Sequence, residues 1–141
     1  MAHRKKVGDL YAIQLPDNTY AYGRVLQEVS VAFYRHRGEK IEDLPDKEDY
    51  EFIVGVHQSC FKEWIFVENR PFADSGDSLP PCYQMRDIFT GKYSIYNFGK
   101  ITPATKEECE NLEVCAVWEY KHIIDRLMGR DWKKWFPRFY Q

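Results

Sequence analysis

The sequence predicts an α+β fold: mainly antiparallel β-hairpins forming a curved sheet or small barrel-like core, with one or two helices near the C-terminus. Three observations predict it. Aromatic residues make up 16% of the chain, and aromatic and β-branched side chains suit the pleated, half-buried surface of a sheet. Short apolar runs recur along the chain, separated by turn chemistry. The one stretch with clear helical periodicity comes late, where Tyr120, Ile123, Ile124 and Leu127 recur at i, i+3, i+4 and i+7. Hairpin connections argue against a doubly wound parallel sheet, whose strands need long crossovers.

Gly8 to Leu15 reads as a first strand, and Pro16-Asp17-Asn18-Thr19 as its turn, with Pro presetting φ and the Asx side chains closing the bend. Tyr20 to Leu26 returns as the second strand of a hairpin. Gly23 inside it suggests a bulge or a close backbone approach. Val29 to Tyr34 is a third strand. A polar loop from about Arg35 to Asp49 follows, then Tyr50 to His57, the strongest candidate for a fully buried strand, and Trp64 to Val67. Asn69 to Pro81, rich in Pro and Gly, is a long loop, and loops of that length are either functional or disordered. Cys82 to Asp87 and Tyr93 to Phe98 form a second hairpin, with Gly91 available for a left-handed position. Leu112 to Ala116 is a candidate last strand. Thr105 and Glu108 make a capping box for a short helix, and Gly129 stops the helix that runs from about Glu119 to Met128.

The chain has 141 residues and reads as one domain over 1–141. At 44% hydrophobic and 30% charged it is globular in composition. The basic start Met1-Ala2-His3-Arg4-Lys5-Lys6 leads into Val7-Gly8-Asp9 rather than an apolar run, so the expected location is cytoplasmic. No apolar stretch is long enough to span a membrane. Cys60, Cys82, Cys109 and Cys115 form no Cys-x-x-Cys pair, and reduced, buried thiols are expected.

No cofactor or metal motif is present: the glycine-rich phosphate patterns are missing, and the four histidines show no helical i, i+4 pairing. His57, Ser59 and Cys60 lie close enough in sequence for a nucleophile and base, but no elbow motif surrounds them, and a strand-end turn with a polar His and a buried Cys explains them as well. The expectation is a protein that is not an enzyme, with no catalytic, cofactor or metal residues.

Two stretches read as candidate partner-binding surfaces. Between 39 and 51, Glu39, Glu42, Asp43, Asp46, Glu48, Asp49 and Glu51 stand against only Lys40 and Lys47. Either the loop is simply solvated, or it faces a basic partner, since a nuclease must be basic where it grips phosphate. The tail from Arg130 to Tyr140 mixes cations with Trp132, Trp135 and Phe136. Its aromatics either pack back on the domain while the lysines reach outward, or stack on bases, or anchor to a protein. The net charge of −2 and the lack of a basic stripe argue against nucleic acid. A small-barrel nucleic-acid-binding module built on the tail stays as the alternative.

Val7-Gly8-Asp9-Leu10-Tyr11-Ala12-Ile13, then Leu15-Pro16-Asp17, then Tyr20-Ala21-Tyr22-Gly23-Arg24-Val25-Leu26 resembles the opening of the immunity protein 26 family of bacterial polymorphic toxin systems. Glu113 to Trp118 and His122 to Leu127 are similar to that family's closing segment, so the resemblance spans about 7–127 and leaves the tail 130–141 outside it. The resemblance implies a cytoplasmic antitoxin that binds a cognate toxin domain, often a nuclease, and needs no cofactor. It carries over no binding residues.

Overall fold

A computed structural model describes residues 3–140; Met1 and Ala2 at the basic start, and Gln141 at the end of the tail, lie outside the described residues. The strands are β1 (Asp9–Gln14), β2 (Tyr20–Val25), β3 (Ser30–Tyr34), β4 (Tyr50–Val56), β5 (Ile65–Asn69), β6 (Tyr83–Arg86), β7 (Tyr93–Asn97), β8 (Lys100–Ala104) and β9 (Val117–Trp118). The helices are α1 (Cys60–Glu63), α2 (Lys106–Cys109) and α3 (Tyr120–Leu127). Six strands make one sheet in the order β5-β1-β2-β3-β4-β9, and β6-β7-β8 make a second. The α+β class is as the sequence predicts. The larger sheet stays open, with β5 and β9 at its edges, so the barrel-like alternative is not realised.

Local chemistry sets the first hairpin. Asp17 accepts hydrogen bonds from the Thr19 amide (3.0 Å) and hydroxyl (2.6 Å), while Asn18 takes the left-handed conformation at φ 67°. Gly23 marks a close approach: a Cβ there would lie 2.7 Å from Val31 Cγ1. No bulge falls at Gly23; the register shifts lie between Leu10 and Tyr11 and between Phe33 and Tyr34. The tight link from β2 to β3 is strained. Glu28 and Val29 are both left-handed, at φ 56° and 55°, a conformation costing about 1–3 kcal/mol for residues other than glycine.

Alternation gives the large sheet two covered faces. Tyr11, Ile13, Val31, Phe33, Phe52, Val54 and Val56 face one side, where Trp64, Trp118, Ile123, Ile124 and Leu127 close the main core. Leu10, Ala12, Tyr22 and Tyr34 face the other, under Ile41 and Leu44 of the 35–49 segment. β4 alternates buried and half-buried positions rather than being buried on both faces.

The remaining departures have physical causes. β8 includes Pro103, tolerated because β8 is an edge strand where a missing N–H need break no ladder bond. The expected strand at 112–116 reduces to a parallel bridge between Val114 and Gln84; the true strand is β9, which pairs with β4 in parallel. α1 forms one helical turn where only a turn was expected. The capping box at Thr105 and Glu108 is present, with both bonds made (2.9 and 3.1 Å). The 69–81 segment is pinned: the Arg24 guanidinium, buried in the second face, donates to the carbonyls of Arg70 and Pro71 (both 3.1 Å) and stacks on Phe72 at 3.5 Å. Gln27 reaches further along it to Ser78 Oγ at 2.7 Å. All four cysteines are free thiols, with Cys60 and Cys109 buried.

Candidate functional site

The acidic 35–49 segment is a strap lying across the second face of the large sheet. A two-way backbone bridge between Tyr20 and Gly38 starts it (2.8 and 2.9 Å). Only glycine fits at 38, because a Cβ would meet the Tyr22 hydroxyl and the Asp43 carbonyl. Tyr22 donates to the Lys40 carbonyl at 2.8 Å, and Ile41 and Leu44 pack on the apolar cluster below.

The predicted acids divide by what their carboxylates touch. Asp43 accepts the amides of Glu39 (3.0 Å) and Lys40 (3.1 Å), closing the strap on itself. Glu48 turns inward: it accepts the hydroxyls of Tyr34 and Tyr50 and pairs with Arg24 (3.4 Å) and Arg70 (3.2 Å). Burial works against its charge, but the two hydroxyls and two guanidiniums outweigh burial and hold the carboxyl below its usual range. Burial and the Glu48 hydrogen bond push the Tyr34 phenol well up, and burial with Asp43 and Glu42 nearby pushes Tyr22 to about 12. Asp49 pairs with Arg35 at 3.3 Å and Glu51 with Arg37 at 3.2 Å. Arg37 also donates to the Leu127 carbonyl at 3.3 Å, tying the strap to the C-terminal end of α3. Glu39, Glu42 and Asp46 are exposed and make no ion pair among the described residues. Between Arg35 and His36 on one side and Asp46 to Asp49 on the other lies an open cleft of about 380 Å³.

The tail folds back on the main core. Trp132 packs against Trp118 at 5.3 Å between ring centres and lies against the Arg126 guanidinium at 4.3 Å. Arg126 is held by a bidentate pair with Glu113, both bonds 2.7 Å. The Trp135 indole donates to Asp125 at 2.8 Å, and its ring meets His122, Lys121 and Lys134 at 5.0, 4.8 and 5.1 Å. Lys133 and Lys134 remain exposed. The structure therefore brings Trp132 and Trp135 together against α3 and places them apart from the strap acids, on the opposite face of the sheet.

The chemistry-bearing turn after β4 is quiet. His57 Nδ1 lies 2.8 Å from the Ser59 hydroxyl and accepts the Ser59 amide at 3.1 Å. Cys60 is fully buried, and desolvation, with Glu119 adding to it, pushes its thiol up to about 11. A thiolate nucleophile needs the opposite shift. Among the described residues, no group of three His, Cys, Asp or Glu side chains is placed to hold a metal, and no helix is long and apolar enough to cross a membrane.

Two surface features carry no sequence signal. Phe89 is 93% exposed and Ile88 65% exposed at the tip between β6 and β7, on a turn fixed by Asp87, whose carboxylate accepts the amides of Phe89 and Thr90 (both 2.8 Å). In sequence Ile88 and Phe89 read only as hairpin loop. The second is Glu28, on its strained turn, which no local pattern singles out.

In comparison with known families, the family model described as immunity protein 26 matches residues 6–94, more than half of the chain. It starts where the opening resemblance starts and ends within β7, before the 113–127 segment. No curated protein and no solved structure matches the chain.

Proposed function

The chain belongs to the immunity protein 26 family, and on that premise we propose that it binds and neutralises a cognate bacterial toxin domain in the cytoplasm, by occlusion and without catalysis. The observation that supports this reading best is the build of the strap. Its underside is fixed by Glu48, Asp43 and Tyr22, while Glu39, Glu42 and Asp46 face solvent and pair with no cation among the described residues. A rigid acidic surface suits a basic toxin such as a nuclease, whose phosphate-gripping groove it would cover. Complementary charge speeds the encounter and selects the partner. Exposed apolar side chains such as Phe89 supply the affinity that charge alone does not, since neutralisation at nanomolar level needs about −12 kcal/mol.

The test uses the toxin encoded beside this gene. Co-expression should rescue a host from that toxin. Changing Glu39, Glu42 and Asp46 together to Lys should slow association about tenfold or more at low ionic strength and leave the folded structure intact. Failure to rescue, with no complex recovered from purified components, would remove the neutralising role. Rescue with an unaltered association rate would move the interface off the strap.

A further inference from the structure

On the same face as the strap, at the other end of the strands, two adjoining clefts share Glu28, Gly55 and Val117. The smaller holds about 250 Å³, with Tyr83 and Tyr96 also lining it. That is below the roughly 300–1,000 Å³ of sites built for small molecules, and suits a single side chain. One carboxylate lines it. Glu28 accepts the Tyr96 hydroxyl at 2.7 Å, and among the described residues it has no ion pair. No Lys or Arg lines either cleft.

The surrounding groups feel that uncompensated charge. The hydrogen bond to Glu28 raises the Tyr96 phenol, and Glu28 adds to the burial that raises the Cys115 thiol. Val117, 62% exposed on the edge strand β9, forms an apolar rim. The backbone points the same way. Glu28 and Val29 hold consecutive left-handed conformations that glycine would adopt without strain, yet a carboxylate and a β-branched residue occupy them. Strain of this kind persists where surrounding structure enforces it and clusters at ligand-binding positions.

We propose that this cleft receives an arginine side chain presented by the partner toxin. The inference rests on the neutralising role and specifies one anchor of it. Arginine fits better than lysine: its planar guanidinium stacks on tyrosine rings, is weakly hydrated, and carries five donors, enough to meet Glu28 and the tyrosine oxygens together. The Tyr96 hydroxyl occupies one Glu28 oxygen and fixes the rotamer, leaving the other oxygen for the guanidinium.

Two measurements on the full chain test this. In the first, isotope-labelled protein at pH 7.5 and low salt is titrated with N-acetyl-arginine amide, followed through its backbone amide resonances. Saturable shifts are expected at Gly55, Tyr96 and Val117, weakened at least fivefold for the lysine analogue and lost in Glu28→Gln, which keeps the side chain's shape. Shifts centred on the 39–49 strap, or unchanged in Glu28→Gln, would overturn the proposal. In the second, Glu28→Gln should weaken binding of the cognate toxin at least tenfold. Equal affinity for wild type and variant would overturn the cleft as an anchor and leave neutralisation standing. A wild-type protein that takes the arginine probe at Gly55 and Val117 but ignores the toxin would sink the neutralising role alone.

Discussion

The strap and the tail cover opposite faces of one sheet, and both stand out in sequence for their charge, but they are held by inverted means. The strap sends charge inward: Glu48 is the hub of two tyrosines and two arginines, while other acids stay outside. The tail sends aromatics inward, and its lysines stay outside. One cover is an electrostatic clasp and the other an apolar plug. Charge density in a sequence therefore does not say which members of a cluster face a partner. The hydrogen bonds and ion pairs that engage a few of them within the fold decide that.

The sharpest break in the comparison should come from Trp132→Ala. It removes the ring between Trp118 and Arg126, and large-to-small changes of aromatics cost about 3–5 kcal/mol when fully buried. Half-buried Trp132 should cost about 2–3 kcal/mol, seen as a lower urea midpoint that barely moves with salt. Glu48→Gln should cost less, about 1–2 kcal/mol. The Tyr34 hydroxyl keeps an acceptor, while the hydrogen bonds to charged partners weaken and the ion-pair share is screened at this partly exposed site. Its cost should shrink in high salt, and equal salt dependence for the two variants would erase the distinction between clasp and plug.

Acid should separate the covers more gently. His122 lies against Trp118, Trp135 and Phe136, and accepts the Glu119 amide at 3.2 Å. Burial lowers its pKa from the usual 6.5, with Lys121 working the same way and Glu119 and Asp125 against it. The unfolded chain then takes up the proton first, so this contribution is complete above about pH 6.5 and is lost as pH falls through the lower folded value. Glu48 is also shifted down, from 4.5, so its contribution is complete above that value and fades only in stronger acid. Tryptophan fluorescence from the tail should therefore change at higher pH than tyrosine signals from the strap, and a His122→Gln variant should abolish the first step.

Much of the fold was legible because its signals are local. The β1–β2 hairpin, the capping box at Thr105 and the apolar stripe of α3 each depend on residues a few positions apart. β9 was not, since its partner β4 is distant in the chain, and β8 was not, because Pro103 interrupts the strand pattern after the tight turn from β7. The candidate surface was half legible. Sequence located the acidic stretch but not which acids are spent inside, because the arginines that claim Glu48 come from β2 and the end of β5. The exposure of Phe89 and the backbone of Glu28 are properties of the assembled fold with no local pattern to announce them.

The parallel pairing of β9 with β4 has a consequence for how the protein comes into being. While the chain is still emerging from the ribosome, the Gly55–Val56 end of β4 has its outward hydrogen-bonding groups bare until Val117 and Trp118 have been made. At roughly 5–20 residues per second that interval lasts several seconds, and an unpaired edge invites another nascent copy to add on. Trp118, wholly enclosed once in place, both ends that exposure and fills the core beside it. Self-association during synthesis, rather than instability of the finished molecule, is the hazard this topology builds in.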